Sequence, residues 1–376
     1  MRIYFVSSSP LICNEQLLKN MEIRLLFCPH SLQKRVLKTD FLVTQHCELG
    51  SISTSRTNIG TVLIMDVIDR GILEILSRNC RISYRELGRK YDMSANAIRR
   101  RVLNLEESGV IDQYGIELSS AMIGSSFVFG ILKTDGSRDE VEFVDLMGDH
   151  SCIVAAAAYT DGLYPFGGEY IERNELLELG SYLRGLGGVL DVELHPIIQS
   201  KGNKMELSKL DLRVLSVLLE DPRMQVVDIS ERTGLTARRV RRIVKNLEES
   251  QAIRFTAEVE AGKAGAIPFL VRISWIDSII GYTQVLDWLR EEIGWLIWAP
   301  YVSSIEPTIF ALFTEDNLVE VDRIARSIRS QEFIGSVKVM IATHHKYFPS
   351  QRVRWLVDRI REAGYDVPDK WKSLQK

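Results

Sequence analysis

The sequence predicts an α+β protein in which a three-helix unit and a βαββαβ unit alternate twice along the chain. Three observations carry this prediction: a long internal repeat, a three-helix hydrophobic pattern inside each copy, and a strand-helix alternation that follows it. The chain has 376 residues, which is enough for two to four domains, and 45% of them are apolar, which is enough for buried cores.

The internal repeat is the strongest signal. Asp69–Ile111 and Asp211–Ile253 align without a gap at a constant offset (211 − 69 = 142), with 14 identities in 43 positions, and the same register reaches Phe127 and Phe269. Solenoid repeats are only about 20–50 residues long. A period of this size indicates two fused copies of one ancestral protein.

Each repeated segment resolves into three short helices. In the first copy an apolar stripe predicts a helix over Asp66–Leu76, and Ser83 with Glu86 forms a capping box that begins the second helix. A four-residue turn then leads to a third helix, for which Ser94 is the natural N-cap, as Thr236 is in the second copy. This order of helices and turns is a helix-turn-helix.

The third helix carries the candidate DNA-binding face. An apolar stripe points inward, namely Ala95, Ile98, Val102 and Leu105 in the first copy and Ala237, Val240, Val244 and Leu247 in the second. The candidate DNA-binding residues are Ser94, Asn96, Arg99, Arg100, Thr236, Arg238, Arg239, Arg241, Arg242 and Lys245.

Crowded positive charges on one helix repel each other, and an acidic partner removes that repulsion. A helix about 10–12 Å wide fits the major groove, where arginine can read guanine. The alternative is a solvated basic face without a partner. The repetition of this face within a three-helix frame favours double-stranded DNA as the partner, although the net charge of the whole chain is −3.

The ferredoxin-like order βαββαβ follows each three-helix unit. The first copy is predicted to contain Ser125–Thr134, Arg138–Gly148, Cys152–Thr160, Leu163–Ile171, Asn174–Gly185 and Val189–Ile198. The second copy is predicted to contain Ile267–Trp275, Tyr282–Ile293, Trp295–Ser303, Thr308–Thr314, Asn317–Ser330 and Ser336–Thr343. One more amphipathic helix is predicted over 350–363.

Each such sheet has helices on one face only, so its other face needs a cover. Both alternating sets of side chains are partly apolar, which leaves open which set faces the helices. The open-face candidates are Phe127, Phe129, Ile131, Phe269, Val271 and Ile273. Because linkage within one chain favours pairing of the two sheets, we expect an intrachain pseudo-dimer, with homo-oligomers as the alternative.

The predicted domains are an N-terminal extension (1–64), two helix-turn-helix domains (65–116 and 206–257), two ferredoxin-like regulatory domains (117–200 and 258–348) and a C-terminal helical tail (349–376). The extension lacks a sustained helical or strand period and does not resemble a signal peptide. We expect it to be disordered or an artefact, with translation beginning at Met65.

The sequence gives only weak support for a metal site, an aromatic ligand cage or a catalytic site. The five cysteines (Cys13, Cys28, Cys47, Cys80 and Cys152) show no metal-binding spacing, so reduced thiols in a cytoplasmic protein are expected. Cys152 is expected in a core, and His344 and His345 on the surface rather than in a metal site. Trp275, Trp288, Trp295 and Trp298 are expected in a core rather than a ligand cage. No cofactor, metal, membrane span or catalytic group is predicted.

The motifs together resemble the leucine-responsive regulator/AsnC family of archaeal and bacterial transcription regulators over about 280 residues. They include MDVIDRGILEIL, RISYRELGRKYDMS and RRRVLNLEESGVI, all in the first copy. The resemblance implies DNA binding and a response to small effectors, often amino acids, in a protein that is not an enzyme.

Family members carry a Thr-Gly turn between the middle strands of the βαββαβ unit. Here the first copy has Thr160, Asp161 and Gly162, an insertion in that turn, and these are the candidate effector-binding residues. The second copy reads Ser304-Ile305-Glu306-Pro307 and departs further from the family pattern.

Siroheme decarboxylases, which are tetrapyrrole enzymes, resemble the same two-part architecture and provide an alternative function. That family has a histidine–tyrosine–arginine cluster near its middle strands. The corresponding stretches here contain Tyr159 and Tyr301 but no histidine or arginine, which favours the regulator.

Overall fold

The computed structural model describes residues 65–293 and 300–372, and it contains both predicted three-helix units. The first unit consists of α1 (Val67–Arg78), α2 (Tyr84–Tyr91) and α3 (Ala95–Glu107). The second consists of α6 (Lys209–Leu218), α7 (Val226–Thr233) and α8 (Ala237–Glu249). The predicted extension 1–64, together with Cys13, Cys28, Cys47, Trp295 and Trp298, lies outside the described residues.

The predicted caps are confirmed. Ser83 and Glu86 form the capping box of α2, and the Ser94 and Thr236 hydroxyls accept backbone hydrogen bonds at the starts of α3 and α8. The turn into the third helix needs a left-handed residue, which is Asp92 (φ 51°) in the first unit and Gly234 (φ 65°) in the second. Local sequence chemistry is therefore sufficient to place the helix starts.

The inward stripes are confirmed except at their first positions. Ile98, Val102 and Leu105 are buried, but Ala95 is exposed. Ala237 is only half-buried. The reason is that the first residue of each helix projects beyond the turn that packs on the neighbouring helices. Ile243, which the sequence analysis did not place inward, is buried in α8.

A strand follows each three-helix unit, and the sequence analysis did not predict these strands. β1 (Ile111–Leu118) and β6 (Ile253–Val259) pair antiparallel, so that each helix-turn-helix unit contributes one strand to a shared two-stranded wing sheet. The register shifts between Ile111 and Gln113, where β1 holds one residue more than β6. This β-bulge changes the alignment of everything that follows.

Two βαββαβ units follow the wing strands, which confirms the predicted ferredoxin-like arrangement. The first comprises β2 (Ser126–Thr134), α4 (Glu140–Gly148), β3 (Ile153–Tyr159), β4 (Leu163–Tyr170), α5 (Arg173–Gly185) and β5 (Val189–Ile198). The second comprises β7 (Ile267–Trp275), α9 (Tyr282–Trp288), β8 (Tyr301–Ser303), β9 (Thr308–Glu315), α10 (Leu318–Arg329) and β10 (Ile334–Tyr347). α9 is shorter than predicted because it passes into a π turn at Leu289–Ile293.

The two sheets close into one barrel in the order β10-β3-β4-β2-β5-β8-β9-β7. β10 runs past the predicted end at Thr343 because its last residues pair with β3 of the other unit, up to Tyr347 opposite Ala155. β5 and β8 form the second junction. A buried apolar cluster packs between the sheets; it contains Phe129, Ile131, Tyr159, Leu163, Leu270, Phe310 and Met340.

The predicted open face is correct for the first sheet and wrong for the second. Phe129 and Ile131 face the other sheet, whereas Phe269, Val271 and Ile273 pack in the core beneath α9 and α10. After the β1 bulge the two copies align at an offset of 141 (267 − 126 = 141) rather than 142. A shift of one residue turns every side chain of a strand to the opposite face.

The C-terminal segment forms α11 (Gln351–Glu362) and α12 (Asp369–Lys372). Leu356, Val357 and Ile360 of α11 join the core of the two helix-turn-helix units. At the start of α11, Arg352 Nε lies 2.6 Å from Oε1 of Glu169, a buried carboxylate on β4. The helix therefore connects the barrel with the DNA-binding half of the chain.

Several residues that were predicted to lie in a core or on the surface fall within residues 65–293 and 300–372. Cys152, Trp275 and Trp288 lie in or against the cores of the βαββαβ units, as predicted. His345 is bonded to Glu260, with Nε2 2.7 Å from Oε1. Within these described ranges no cluster of three potential metal ligands occurs, and no helix is long and apolar enough to cross a bilayer.

Candidate nucleic-acid interface

The outer face of α8 is the most basic helical surface of the second unit. Arg238, Arg239, Arg241 and Arg242 are all exposed, and none of them forms an ion pair with another described residue. Lys245 differs, because its Nζ lies 3.5 Å from Oε1 of Glu249 one turn further on. Four arginine side chains are thus free to meet an anionic partner.

The outer face of α3 carries less charge at the same positions. Asn96, Arg99 and Arg100 are exposed, while Leu103 stands where α8 has Lys245. Arg101 is turned toward α1, where Nη1 lies 2.7 Å from Asp69 and 3.1 Å from Asp66. Arg101 therefore holds the helix in place.

The second helix of the first unit adds positive charge that the sequence analysis did not single out. Arg85, Arg89 and Lys90 of α2 are exposed. The equivalent positions in α7 are Val227, Glu231 and Arg232, at the constant offset of 142. Arg232 is paired with Glu220 at 2.5 Å. A comparison of the two copies residue by residue would have shown this difference.

The two helix-turn-helix units are joined by two equivalent arginines. Each lies in the first turn of its own unit and contacts the other unit. Arg81 of the first unit donates hydrogen bonds to the carbonyl oxygens of Pro222 and Met224 in the second. Its guanidinium also lies 5.5 Å from the Phe255 ring, and its Nε is 3.7 Å from Glu248. Burial lowers the pKa of Arg81 and raises that of Glu248.

Arg223 makes the reciprocal contacts, and it occupies the position equivalent to Arg81 (223 − 81 = 142). Its Nη1 donates to the Tyr114 hydroxyl at 2.7 Å and lies 3.3 Å from Glu106. Its guanidinium also lies 5.0 Å from the Tyr84 ring. We call Arg81 and Arg223 the arginine exchange. Its reciprocity indicates an approximate two-fold relation between the units.

The wing sheet and the arginine exchange fix α3 and α8 relative to each other. The cores of the two helix-turn-helix units are continuous, so the pair behaves as one packed body.

Cys80, beside Arg81, donates its backbone N–H to Phe255 O at 2.8 Å. Burial raises the pKa of the Cys80 thiol to about 12, which keeps it protonated.

The candidate effector turn lies far along the chain from these helices, between β3 and β4. Thr160 and Asp161 are exposed and Gly162 is half-buried. Asp161 (φ 69°) and Gly162 (φ 63°) both adopt the left-handed conformation, which turns the chain sharply. The Gly162 carbonyl accepts a hydrogen bond from the Thr134 hydroxyl at 3.2 Å.

Comparison with known proteins places these features in a family. The model of a winged helix-turn-helix DNA-binding family matches residues 65–112 and 207–254. An uncharacterized HTH-type transcriptional regulator of Pyrococcus horikoshii is 31% identical over 105 residues, which cover 24% of this chain and 71% of the relative. The regulator LrpA of the same organism is 40% identical over 65 residues, which cover 17% of this chain and 46% of LrpA.

The chain belongs to the Lrp/AsnC family of transcriptional regulators. It is a DNA-binding regulator with two helix-turn-helix domains and two ferredoxin-like domains. Among solved structures, the siroheme decarboxylase NirDL aligns with 79% of this chain and 99% of its own at 15% identity and a TM-score of 0.48. Bacillus subtilis LrpC aligns with 39% of this chain and 100% of its own at 22% identity and a TM-score of 0.30.

Proposed function

We propose that this Lrp/AsnC-family chain binds double-stranded DNA chiefly through α8, with α2 and α3 forming a second, weaker contact. The observation that carries the proposal is a set of exposed arginines on α8 that pair with no acidic side chain in the described part of the protein. These arginines stand on the third helix of a helix-turn-helix, which is the helix that enters the major groove in such units. The residues Arg238 and Arg241 are our first candidates for contacts with bases or phosphates.

The cap residues have a different part in this interface. The Ser94 and Thr236 hydroxyl oxygens accept hydrogen bonds from the backbone at 3.1 and 3.3 Å. Each hydroxyl retains its own hydrogen, which can be donated to a phosphate oxygen at the helix N-terminus. These two residues are therefore proposed as phosphate contacts rather than readers of sequence.

The first unit is proposed to rely more on the DNA backbone. Its exposed positive residues are spread over two helices, with Arg85 and Arg89 on α2 and Arg99 and Arg100 on α3. The helix that precedes the recognition helix crosses the phosphate backbone in helix-turn-helix complexes. Charges on α2 would therefore contribute affinity without reading bases.

One chain would then supply what two subunits supply in a dimeric regulator. Because the two units are related by an approximate two-fold, we propose an operator with two inverted half-sites that differ in sequence. Their centres would lie about 34 Å apart, or a multiple of this distance. Further association of chains into homo-oligomers is compatible with this arrangement.

The turn at Thr160, Asp161 and Gly162 is proposed as an effector contact, with an amino acid as the candidate ligand. The support is the exposed, sharply turned backbone described above. Isothermal titration with the common amino acids tests it: the proposal requires binding that Asp161→Ala weakens. Equal binding by both proteins would place the effector elsewhere.

The DNA proposal can be tested with a charge-matched pair of variants. Selection from a random duplex library first provides a binding sequence for the wild-type chain. The variant Arg238→Gln/Arg241→Gln should then bind more weakly, and its salt dependence should flatten by about two units of slope. The control Arg323→Gln/Arg326→Gln removes the same charge from α10 and should bind like wild type.

Two results would contradict the assignment of α8. One is equal loss of affinity in the α10 control, which would indicate a nonspecific charge effect. The other is a larger loss in Asn96→Ala/Arg99→Ala than in Arg238→Ala/Arg241→Ala, which would make α3 the principal reader.

A further inference from the structure

The interior of the barrel is strongly asymmetric, although the two sheets are related by the repeat. On one side four rings stack in a row, which we call the ring ladder: Phe127, Tyr301, Phe129 and Phe310. Their successive centroid distances are 5.3, 5.1 and 4.5 Å, with interplanar angles of 11°, 24° and 28°. These values lie in the range of offset stacking.

Strand pairing identifies the equivalents of the ring ladder on the other side. β2 aligns with β7 at an offset of 141, which matches Phe127 with Pro268 and Phe129 with Leu270. In the pairing of β8 with β9, Tyr301 stands opposite Phe310. The equivalent positions of β3 and β4 are Ala157 and Pro165. The ring ladder has four aromatic rings, whereas the equivalent positions on the other side of the barrel have no aromatic ring.

The space left by these smaller side chains belongs to an open cavity of about 2060 Å³. We call its barrel end the barrel mouth, lined by Ala155, Ala157, Gly167, Leu312 and Tyr347. The cavity is larger than the about 300–1,000 Å³ of typical ligand pockets because it continues toward the wing sheet and α11.

Two tyrosines that line the cavity keep their hydroxyl protons. Tyr347 has 39% of its surface exposed, yet burial raises the pKa of its hydroxyl well above the ordinary value. Burial also raises the pKa of Tyr301 to about 12. Tyr301 therefore keeps its proton and can act as a hydrogen-bond donor.

We propose that the barrel mouth binds a planar aromatic small molecule that occupies the place of the missing rings. A flat ring system there would complete the stacking that the ring ladder provides on the other side. The small side chains at Ala155 and Ala157 leave room for its face, and the Tyr301 hydroxyl would donate to an acceptor on the ligand. This site is distinct from the turn at 160–162, which lies at the opposite ends of β3 and β4.

The cavity that contains the barrel mouth extends to the DNA-binding half of the chain. The cavity is also lined by Glu117 and Phe255 of the wing sheet and by Arg352 of α11. Arg352 Nη1 donates to the carbonyl oxygen of Leu118 at the end of β1. The cavity therefore runs beside the connection between the barrel and the DNA-binding units.

Fluorescence titration with anilinonaphthalene sulfonate tests the site in the full-length chain without DNA. Ala157→Tyr copies the residue that the second copy has at the equivalent position, and it fills the barrel mouth. We expect saturable binding to wild type and affinity at least tenfold weaker in Ala157→Tyr. Val141→Tyr adds the same ring at an exposed position of α4 and should bind like wild type.

A second variant and a displacement experiment complete the test of the barrel mouth. If Ala157→Tyr does not fold by circular dichroism, Leu312→Phe narrows the same space and should give the same loss. Unlabelled naphthalene sulfonate should displace the probe, whereas decanoate should displace it at least tenfold less well. Absence of saturable binding, equal binding by the filled variant, or equal displacement by decanoate would each overturn the proposal.

Discussion

The two helix-turn-helix units share one frame but distribute their charge differently. The first spreads exposed cations over α2 and α3, whereas the second concentrates four unpaired arginines on α8 and has Glu231 on α7. A symmetric dimer could not hold this difference, because both subunits would have the same sequence. Fusion of two copies allows one unit to specialise in reading sequence and the other in supporting affinity.

The packing of the third helix against the other helices also differs between the two units at one position. Arg101 of α3 pairs with Asp66 and Asp69, whereas the equivalent residue of α8 is Ile243, which is buried in the core. An ion pair in one copy and an apolar contact in the other hold the same helix in place. The comparison therefore separates arginines that support the fold from arginines that are available to DNA.

The largest effect is expected when the arginine exchange is broken. Arg81→Ala would leave two carbonyl oxygens and Glu248 without their partner, at a site where the Arg81 side chain is 10% exposed. We expect a loss of about 3 kcal/mol in the free energy of unfolding, measured by urea denaturation. Arg223→Ala should cost somewhat less, because Tyr114 retains its hydrogen bond to Glu106.

Arg78→Ala is the matched control for the arginine exchange. Arg78 is 74% exposed, and among the described residues it pairs only with Glu74 of its own helix. Its removal should change the free energy of unfolding by less than about 0.5 kcal/mol. Equal effects of Arg78→Ala and Arg81→Ala would show that the reciprocal contacts do not hold the two units together.

A smaller effect is expected from Arg101→Ile, which gives α3 the residue of α8. Asp69 would lose its 2.7 Å partner, and the free energy of unfolding should fall by about 1–2 kcal/mol. Burial alone would raise the pKa of Asp66, but the Asp69 backbone N–H and the Arg101 charge outweigh burial and lower it.

The pH dependence of this variant follows from the lowered pKa of Asp66. Ionised Asp66 stabilises the folded state above its unfolded pKa of about 3.9, and this contribution is lost as pH falls through the lower folded value. Wild type should therefore lose more stability than Arg101→Ile when urea denaturation is repeated toward pH 3. A larger acid loss in the variant would contradict the role of Arg101.

The smallest effect is expected from transferring one arginine between the units. Asn96→Arg gives α3 the residue that α8 has at Arg238, and should increase affinity for the selected DNA by about 1 kcal/mol. The salt dependence should steepen by about one unit. Asn174→Arg, which adds the same charge to α5, should leave both unchanged; a similar gain there would indicate nonspecific attraction.

In the barrel, the sequence predicts the strands but not which face of β7 points inward. The repeat predicted both βαββαβ units and the pairing partner of each sheet face, but it extended the offset of 142 as far as Phe269. The bulge between Ile111 and Gln113 removes one residue from that offset and reverses the face of every β7 side chain. A bulge depends on the partner strand, so no pattern within β1 alone reveals it.

The arginine exchange has a signal in the sequence. Arg81 and Arg223 are identical between the copies, although both lie in turns where no helix packing requires arginine. The unpaired arginines of α8 were found because a helical period places them on one face. Arg101 of α3 could be assigned a structural role only from the position of Asp66 and Asp69 beside it.

The sequence by itself determined the helices, their caps, the tandem order of domains and the basic face of α8. These features depend on side chains within a few residues of each other, such as Ser94 and the first turn of α3. Tertiary structure decided the shared wing sheet, the strand register and the asymmetric barrel interior. Each of these depends on contacts between the two copies, more than 100 residues apart in the chain, and local patterns do not record such distant partners.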